Sequence, residues 1–205
     1  MLSGQVHVLM DRVDEELDLQ ISEIVKNIQG VEKVELIASR GTWRTKIIEV
    51  HFAVKPGTTS DVISLIQEEI ERTIKSRFSE VVSVIPVVRF LKGNVIVAIP
   101  SDADGEKYSG DFSSEYFTIV EFEGSKVVSR KVIKNPHFKA EKRKGFLIAE
   151  LLKENNVSVV VTSKIGEGGK AHLRSKGISI VEIAEAEGEE IDRIINDVVA
   201  TVSAP

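Results

Sequence analysis

Cysteine is absent from this 205-residue chain. Disulfides, thiolate nucleophiles and thiolate metal ligands are therefore excluded, and any metal has to be held by histidine, carboxylate or backbone oxygen. Histidine is scarce: His7, His51, His137 and His172 stand in four separate segments. Aromatic residues make up only 5% of the chain, so its cores must rest on Val, Ile and Leu. No apolar run approaches the ~20 residues that a membrane helix needs, which argues against membrane insertion. No charged stretch followed by an apolar one opens the sequence, so the cytoplasm is the expected compartment. A surplus of positive charge is missing too. The formal charge of −5 argues against nucleic acid as a partner, which needs a basic face. Ser-His-Asp, P-loop and H-E-x-x-H patterns are likewise not found.

What is there suits two domains, 1–90 and 93–205, joined by a short polar stretch around Gly93. In the first, Leu17, Ile21, Ile24, Val25 and Ile28 recur at helical spacing, with Gly30 as a stop. Asp11, Asp14, Glu15, Glu16 and Asp18 crowd that helix's start, either as capping carboxylates favoured by the dipole or as a metal site. Two strands follow. Val34, Leu36 and Ala38 alternate on one face of the first, and Ile48, Val50, Phe52 and Val54 on one face of the second. The turn between them holds Gly41 and the only Trp, Trp43, which is either an interface anchor or a lid on its own sheet. Pro56-Gly57 breaks the second strand, and Thr58-x-x-Asp61 reads as a capping box ahead of Ile66, Ile70, Ile74 and Phe78. A third strand covers 81–88. The order predicts an α-β-β-α-β sandwich, two helices on one face of a three-stranded antiparallel sheet. The other face would carry Glu35, Ile37, Ile47, Glu49 and His51, a mixture suited to a subunit contact.

Several pieces appear in a telling order: Val8-Leu9-Met10-Asp11, then Ile28-Gln29-Gly30-Val31-x-x-Val34, the Arg40-Gly41 turn, and Val50-His51-Phe52-x-Val54-x-Pro56. With the helix over 60–78, they resemble the cytoplasmic C-terminal domain of cation diffusion facilitator transporters. The resemblance implies a ferredoxin-like fold, homodimerisation, and a divalent cation such as zinc at the dimer contact, here without the membrane pump. Glu35 stands where that family often has His, and its second helix here has no His. Glu35 and His51 are the ligands the resemblance leaves.

In the second domain a strand over 95–99 runs into a polar loop over 101–114. A hairpin about Glu123-Gly124-Ser125 follows, then a predicted helix over 139–155 and a fully apolar strand over 157–161 of the buried parallel type. Gly166-Glu167-Gly168-Gly169 opens a short helix, and a strand over 178–181 precedes a terminal helix on Ile191, Ile194, Ile195, Val198 and Val202. Strands alternating with helices predict an α/β domain with a mixed sheet.

The landmarks are Pro100-Ser101-Asp102-x-Asp104-Gly105, Phe117-Thr118-Ile119-Val120, Ile148-Ala149-Glu150-Leu151-Leu152, Val157-x-Val159-Val160-Val161-Thr162-x-x-Ile165-Gly166 and Leu173-x-x-x-Gly177-Ile178. They resemble the dinitrogenase iron-molybdenum cofactor biosynthesis family, the group that includes NifX and NafY. That resemblance implies a ribonuclease H-like topology and a non-enzymatic role in binding or carrying iron-sulfur or iron-molybdenum cluster precursors. Where the family commonly has His-Phe-Gly, this chain reads Asp111-Phe112-Ser113.

The loop over 101–114 and the turn over 165–169 both follow strand C-terminal ends, the usual ligand edge of an α/β sheet, and are expected to face each other. Asp102, Asp111, Phe112, Ser113, His137, Gly166, Gly168 and Gly169 are the candidate ligand-binding residues. The glycines either let backbone N–H groups meet an anion at a helix start or simply make a tight turn. Lys139, Lys142, Arg143 and Lys144 either serve that anion or form a solvated face. Asp102, Asp104 and Asp111 sit in one loop, whereas two-metal nuclease chemistry needs carboxylates on several strands, so a nuclease is set aside. A metal-responsive dimeric module that docks a protein partner and holds no cluster is the second functional reading.

Overall fold

The computed structural model describes residues 14–183 and 186–202, and of residues 200–202 the backbone alone. His7, the Val8-Leu9-Met10-Asp11 segment and the helix-start Asp11 lie outside the described residues, as does the Val202 side chain. The chain divides into two compact units, one running to Val54 together with Ile63–Phe90, the other Lys55–Val62 together with the chain from Leu91 on.

The first unit begins with α1 (Glu15–Lys26), which buries Leu17, Ile21 and Val25. The Asp14 side chain caps it by accepting the Leu17 N–H at 3.2 Å. That oxygen pair also receives the Lys46 ammonium at 3.1 Å, while the Asp14 N–H donates to the Ser39 hydroxyl at 3.1 Å. The start of α1 is thus pinned beside the end of the hairpin formed by β1 (Lys33–Gly41) and β2 (Lys46–Val54). Helix α2 (Ser60–Arg77) buries Ile66, Ile70 and Ile74 and leads to β3 (Val81–Phe90). The sheet order is β1-β2-β3.

Three expectations about this unit are corrected. First, the sheet is mixed and not antiparallel: β1 and β2 pair antiparallel, but β2 and β3 pair parallel. The 18-residue α2 returns the chain by about 27 Å, close to the roughly 30 Å of the nine-residue β2, so β3 re-enters in the same direction. Second, the face assignment of β1 changes at a bulge. Val34 pairs with Phe52 and Leu36 with His51, so Glu35 is an extra residue. Beyond it Ile37 and Ser39 sit opposite the buried Val50 and Ile48, while Leu36, Ala38 and Arg40 share the open face with His51, Glu49 and Ile47. Third, Thr58 does not cap α2. Its hydroxyl donates to the Lys55 carbonyl at 2.8 Å and closes the Pro56-Gly57 turn.

Trp43 is 76% exposed, so it is not a lid. Its turn is nonetheless ordered. The Thr42 hydroxyl accepts the N–H groups of Arg44 and Thr45, each at 3.3 Å, and the Thr42 N–H donates to the Thr45 carbonyl at 3.0 Å. Gly41 has φ +115°, and a Cβ there would stand 2.2 Å from the Thr45 carbonyl oxygen, so glycine is required.

The second unit contains β4 (Val95–Ser101), β5 (Tyr116–Glu123), β6 (Lys126–Lys134), α3 (Lys144–Glu154), β7 (Val159–Thr162), α4 (Glu167–Ser175), β8 (Ser179–Glu182) and α5 (Ile191–Val202). The sheet order is β6-β5-β4-β7-β8, antiparallel across β6, β5 and β4 and parallel across β4, β7 and β8. This is the mixed, ribonuclease H-like sheet expected. Val97, Ile99, Val120 and Val161 pack under Ile191, Ile194 and Val198 of α5 on one face. Ala98, Phe117 and Val160 pack under Ile148, Leu152 and Leu173 of α3 and α4 on the other. Both faces of β4 and β7 are therefore covered, which is why those segments are apolar without alternation. Each fully buried Ile, Leu or Phe contributes about 1.5–3 kcal/mol relative to exposure. The helix predicted over 139–155 starts five residues late, because Arg143 adopts φ 56°, ψ 20°, a left-handed conformation that cannot continue a helix.

Candidate functional site

The loop between β4 and β5 is held at two places by different neighbours. Its first half, residues 102–108, belongs to the α5 side. The Ile191 N–H donates to the Glu106 carbonyl at 2.8 Å and the Tyr108 N–H to the Glu189 carbonyl at 2.8 Å. The Arg130 guanidinium of β6 pairs with Asp192 at 2.7 Å and donates to the Gly105 carbonyl. Asp102 organises this half by accepting the Glu106 N–H at 2.9 Å. Burial works to raise its pKa, but backbone N–H donors from Glu106, Lys107 and Gly105 outweigh that and hold it below the ordinary carboxylate value.

The second half, residues 110–114, belongs to the end of β7. The Gly110 carbonyl accepts the N–H groups of Ser163 at 2.9 Å and Lys164 at 3.0 Å, and the fully buried Thr162 hydroxyl at 2.8 Å. The Phe112 N–H donates to the Lys164 carbonyl at 3.0 Å. These hydrogen bonds tie residues 110–112 to 162–164, the stretch just before the turn over 165–169 that the loop was expected to face. Asp102 and Asp111, however, are held on opposite arms of the loop.

Around the second half most of the other candidates gather. Asp111 is exposed, and its carboxylate accepts the Ser113 N–H at 2.7 Å. Phe112 is buried and meets Phe117 edge-on at 6.5 Å, so it is a core residue and not a surface contact. Asn135, fully buried, donates its amide N–H to the Ser114 carbonyl at 2.8 Å and accepts the His137 N–H at 3.0 Å. The His137 turn is thereby tied to the Asp111–Ser114 arm. Gly166 stands in extended conformation at the start of α4 with no side-chain cap, and a Cβ on Gly166 or Gly168 would meet nothing within 4 Å. Gly169 faces inward, where a Cβ would stand 3.0 Å from Ile165 and 3.3 Å from Phe112. A Cβ on Gly145 would stand 3.2 Å from the Gly169 Cα, so the first turns of α3 and α4 touch.

This places two helix starts without side-chain caps next to each other. The first N–H groups of each have no partner within their own helix, and the positive ends of both dipoles lie there. Lys139, Lys142, Arg143 and Lys144 precede or open α3. Among the described residues none of them is in an ion pair, although the Arg143 guanidinium stacks 4.6 Å over Phe146 and the Lys139 ammonium lies 5.0 Å over Phe138. The arrangement is chemically fit to hold an anion through N–H donors and cations. It does not supply iron or another metal with a coordination shell: the chain has no thiolate, and among the described residues no three His, Asp or Glu side chains gather as a metal site.

On the first unit's open sheet face, Glu35 lies 3.7 Å from the Arg89 guanidinium. His51 is engaged by Glu49, Nε2 to Oε1 at 2.5 Å. The two residues are near neighbours across β1 and β2 but have different partners. Asn135, Gly145 and Thr162 position the second-unit site and were not foreseen as site residues. A lone Asn after a strand and a Gly in a basic run carry no periodic or motif signal, whereas Thr162, the polar end of an apolar run, could have been flagged.

Residues 93–201 match the family described as dinitrogenase iron-molybdenum cofactor, and residues 13–85 match the one described as cation efflux protein, cytoplasmic domain. Among solved structures, PH0822 is 26% identical over 52% of this chain and 91% of its own, with a TM-score of 0.44. MamM CTD in a manganese form is 17% identical over 38% of this chain and 98% of its own, with a TM-score of 0.36. No curated protein matches significantly. The first match spans more than half of the chain, so the chain belongs to the dinitrogenase iron-molybdenum cofactor family.

Proposed function

We propose that, as a member of that family, this chain is a non-enzymatic cytoplasmic carrier whose cargo is an anionic iron-sulfur or iron-molybdenum cluster, and that it forms a homodimer through its first unit. The observation that carries the cargo reading is the pair of touching, uncapped helix starts at Gly145 and Gly169, with cations at 139–144 that, among the described residues, are in no ion pair and lead into α3. A sulfide cluster is an anion that such N–H donors and cations can hold from outside its own coordination shell. With no cysteine and with Asp111 on the neighbouring arm, direct ligation of iron by this chain is not part of the reading. The match of 13–85 to a cation efflux cytoplasmic domain, and the open sheet face with Leu36, Ile47 and Ile85 each about half exposed, support the dimer. The test is isolation under strict anaerobiosis after incubation with isolated iron-molybdenum cofactor. Iron and molybdenum that co-elute with the protein are expected, and metal at background rejects the carrier.

The Glu49–His51 pair on that same open face favours a second reading, a metal-responsive dimeric module that docks a protein partner. Sedimentation with and without zinc separates the two. A zinc-dependent mass that His51→Ala and Glu35→Ala both abolish supports the second reading, and an unchanged mass rejects it.

A further inference from the structure

We infer that the Trp43-Arg44 tip of the β1–β2 hairpin docks on the acidic stripe of α1 in a second copy of this chain, giving two reciprocal contacts about a two-fold axis. The inference rests on the homodimer proposed above and names surfaces for it other than the open sheet face. Trp43 and Leu19 are the most exposed of the described large hydrophobic side chains, at 76% and 70%. Among the described residues neither finds cover. Their surroundings are opposite in sign. The Arg44 guanidinium lies 4.3 Å over the Trp43 ring, and among the described residues it has no carboxylate partner. Leu19 stands on an exposed helical surface between Glu15 and Glu16, one turn before it, and Glu23, one turn after it. An indole carrying a cation therefore matches an apolar residue flanked by the Glu15 and Glu16 carboxylates, with Glu23 already paired to Lys26 at 2.8 Å, in both shape class and charge.

The tip is also rigid before it meets anything, through the Thr42 hydrogen bonds and the Gly41 turn, so little conformational entropy is lost on docking. Trp and Arg are the residues most enriched at the energetic centres of interfaces. Position agrees as well. The Asp14–Lys46 ion pair and the Asp14–Ser39 hydrogen bond set the start of α1 beside the turn end of this hairpin. Tip and stripe thus lie close together on one unit, so a two-fold axis passing between them lets each copy give one tip and receive one within a single compact interface.

Because Trp43 is the only Trp, its emission reports on this contact alone. The full chain is diluted through its dimer–monomer transition, followed by Trp43 emission and by sedimentation. The emission is expected to shift to the blue as the dimer forms. Trp43→Ala is expected to weaken the dimer about 30-fold or more in sedimentation. Arg44→Glu and Glu16→Arg should each weaken it about tenfold, and the double charge swap should restore most of the loss. A dimer whose Trp43 emission stays that of an exposed indole, or that Ile85→Lys dissociates while Trp43→Ala and Arg44→Glu leave it intact, overturns the inference and leaves the homodimer standing. A chain that sediments as a monomer at every concentration overturns both.

Discussion

Two adjacent glycines in the first turn of α4 offer a controlled comparison. Gly168 and Gly169 lie in the same helix, so replacing either by alanine gains the same intrinsic helix propensity, about 0.5–1 kcal/mol. They differ in what the new Cβ meets. At Gly168 it meets nothing within 4 Å. At Gly169 it stands 3.0 Å from Ile165 Cγ1 and 3.3 Å from Phe112 Cδ1, and Phe112 is fixed in the core against Phe117. Overpacking of this kind costs about 1–3 kcal/mol. Gly168→Ala is therefore expected to stabilise the chain, raising its unfolding temperature by about 1–4 °C. Gly169→Ala should be neutral or destabilising by up to about 2.5 kcal/mol, so the variants differ by about 1–3 kcal/mol, the overpacking cost alone. Urea unfolding of wild type and both variants measures this directly, with an unchanged m-value as the check on two-state behaviour. Equal stabilities, or Gly169→Ala the more stable, refute the packing described for α4. The same pair bears on function. Under the cargo reading proposed above, a methyl at Gly168, in open space at the start of α4, is expected to reduce the cluster retained although the variant is the more stable one.

Asp14 is held below the usual carboxylate value of 3.8, first by the Lys46 ammonium and then by the Leu17 N–H. A depressed folded-state pKa stabilises the fold above the unfolded value, and that contribution is lost as pH falls through and below it. Acid unfolding of the first unit below about pH 4 should therefore be blunted in Asp14→Asn, which at neutral pH costs about 1 kcal/mol by leaving the buried Lys46 with a neutral partner; an acid limb identical to wild type refutes the pairing. Thr162→Val removes the hydroxyl that donates to the Gly110 carbonyl, and should cost about 1–2 kcal/mol and speed amide exchange at Phe112, read by hydrogen exchange. Asn135→Ala unties the His137 turn from Ser114 and should raise exchange at His137 and Glu115 sides alike, leaving the α5 side of the loop unchanged.

Much of the fold was readable because burial leaves a period. Ile48, Val50, Phe52 and Val54 alternate in the sequence and all four are fully buried in β2. Leu17, Ile21 and Val25 do the same for α1. The bulge at Glu35 was not readable, because one inserted residue leaves composition and alternation on either side intact while it reverses the faces beyond it. The parallel pairing of β3 had a signal, since a long helix between two strands is the ordinary parallel crossover. The late start of α3 had none: Lys, Arg and Lys are sound helix formers, and only the left-handed Arg143 in its tertiary setting ends their eligibility. The candidate site divides in the same way. The glycine turn at 166–169 and the arm at 111–113 were visible as loop residues after strands. The separation of Asp102 from Asp111 depends on Glu189 on one arm and Lys164 on the other, both far away in sequence.

In the proposed carrier, the touching starts of α3 and α4 hold an anionic cluster through N–H donors and nearby cations. Charge reversal at the start of α3 tests it with little risk to the fold, because a carboxylate at a helix start is favoured by the dipole by about 0.3–1 kcal/mol. The measurement is an anaerobic titration of wild type and the Lys142→Glu/Lys144→Glu variant with isolated iron-molybdenum cofactor, reading metal retained per protomer after gel filtration. Retention by the wild type and a loss of affinity of about tenfold or more in a variant at least as stable as wild type are the predicted results. A variant that retains as much metal as the wild type contradicts the claim.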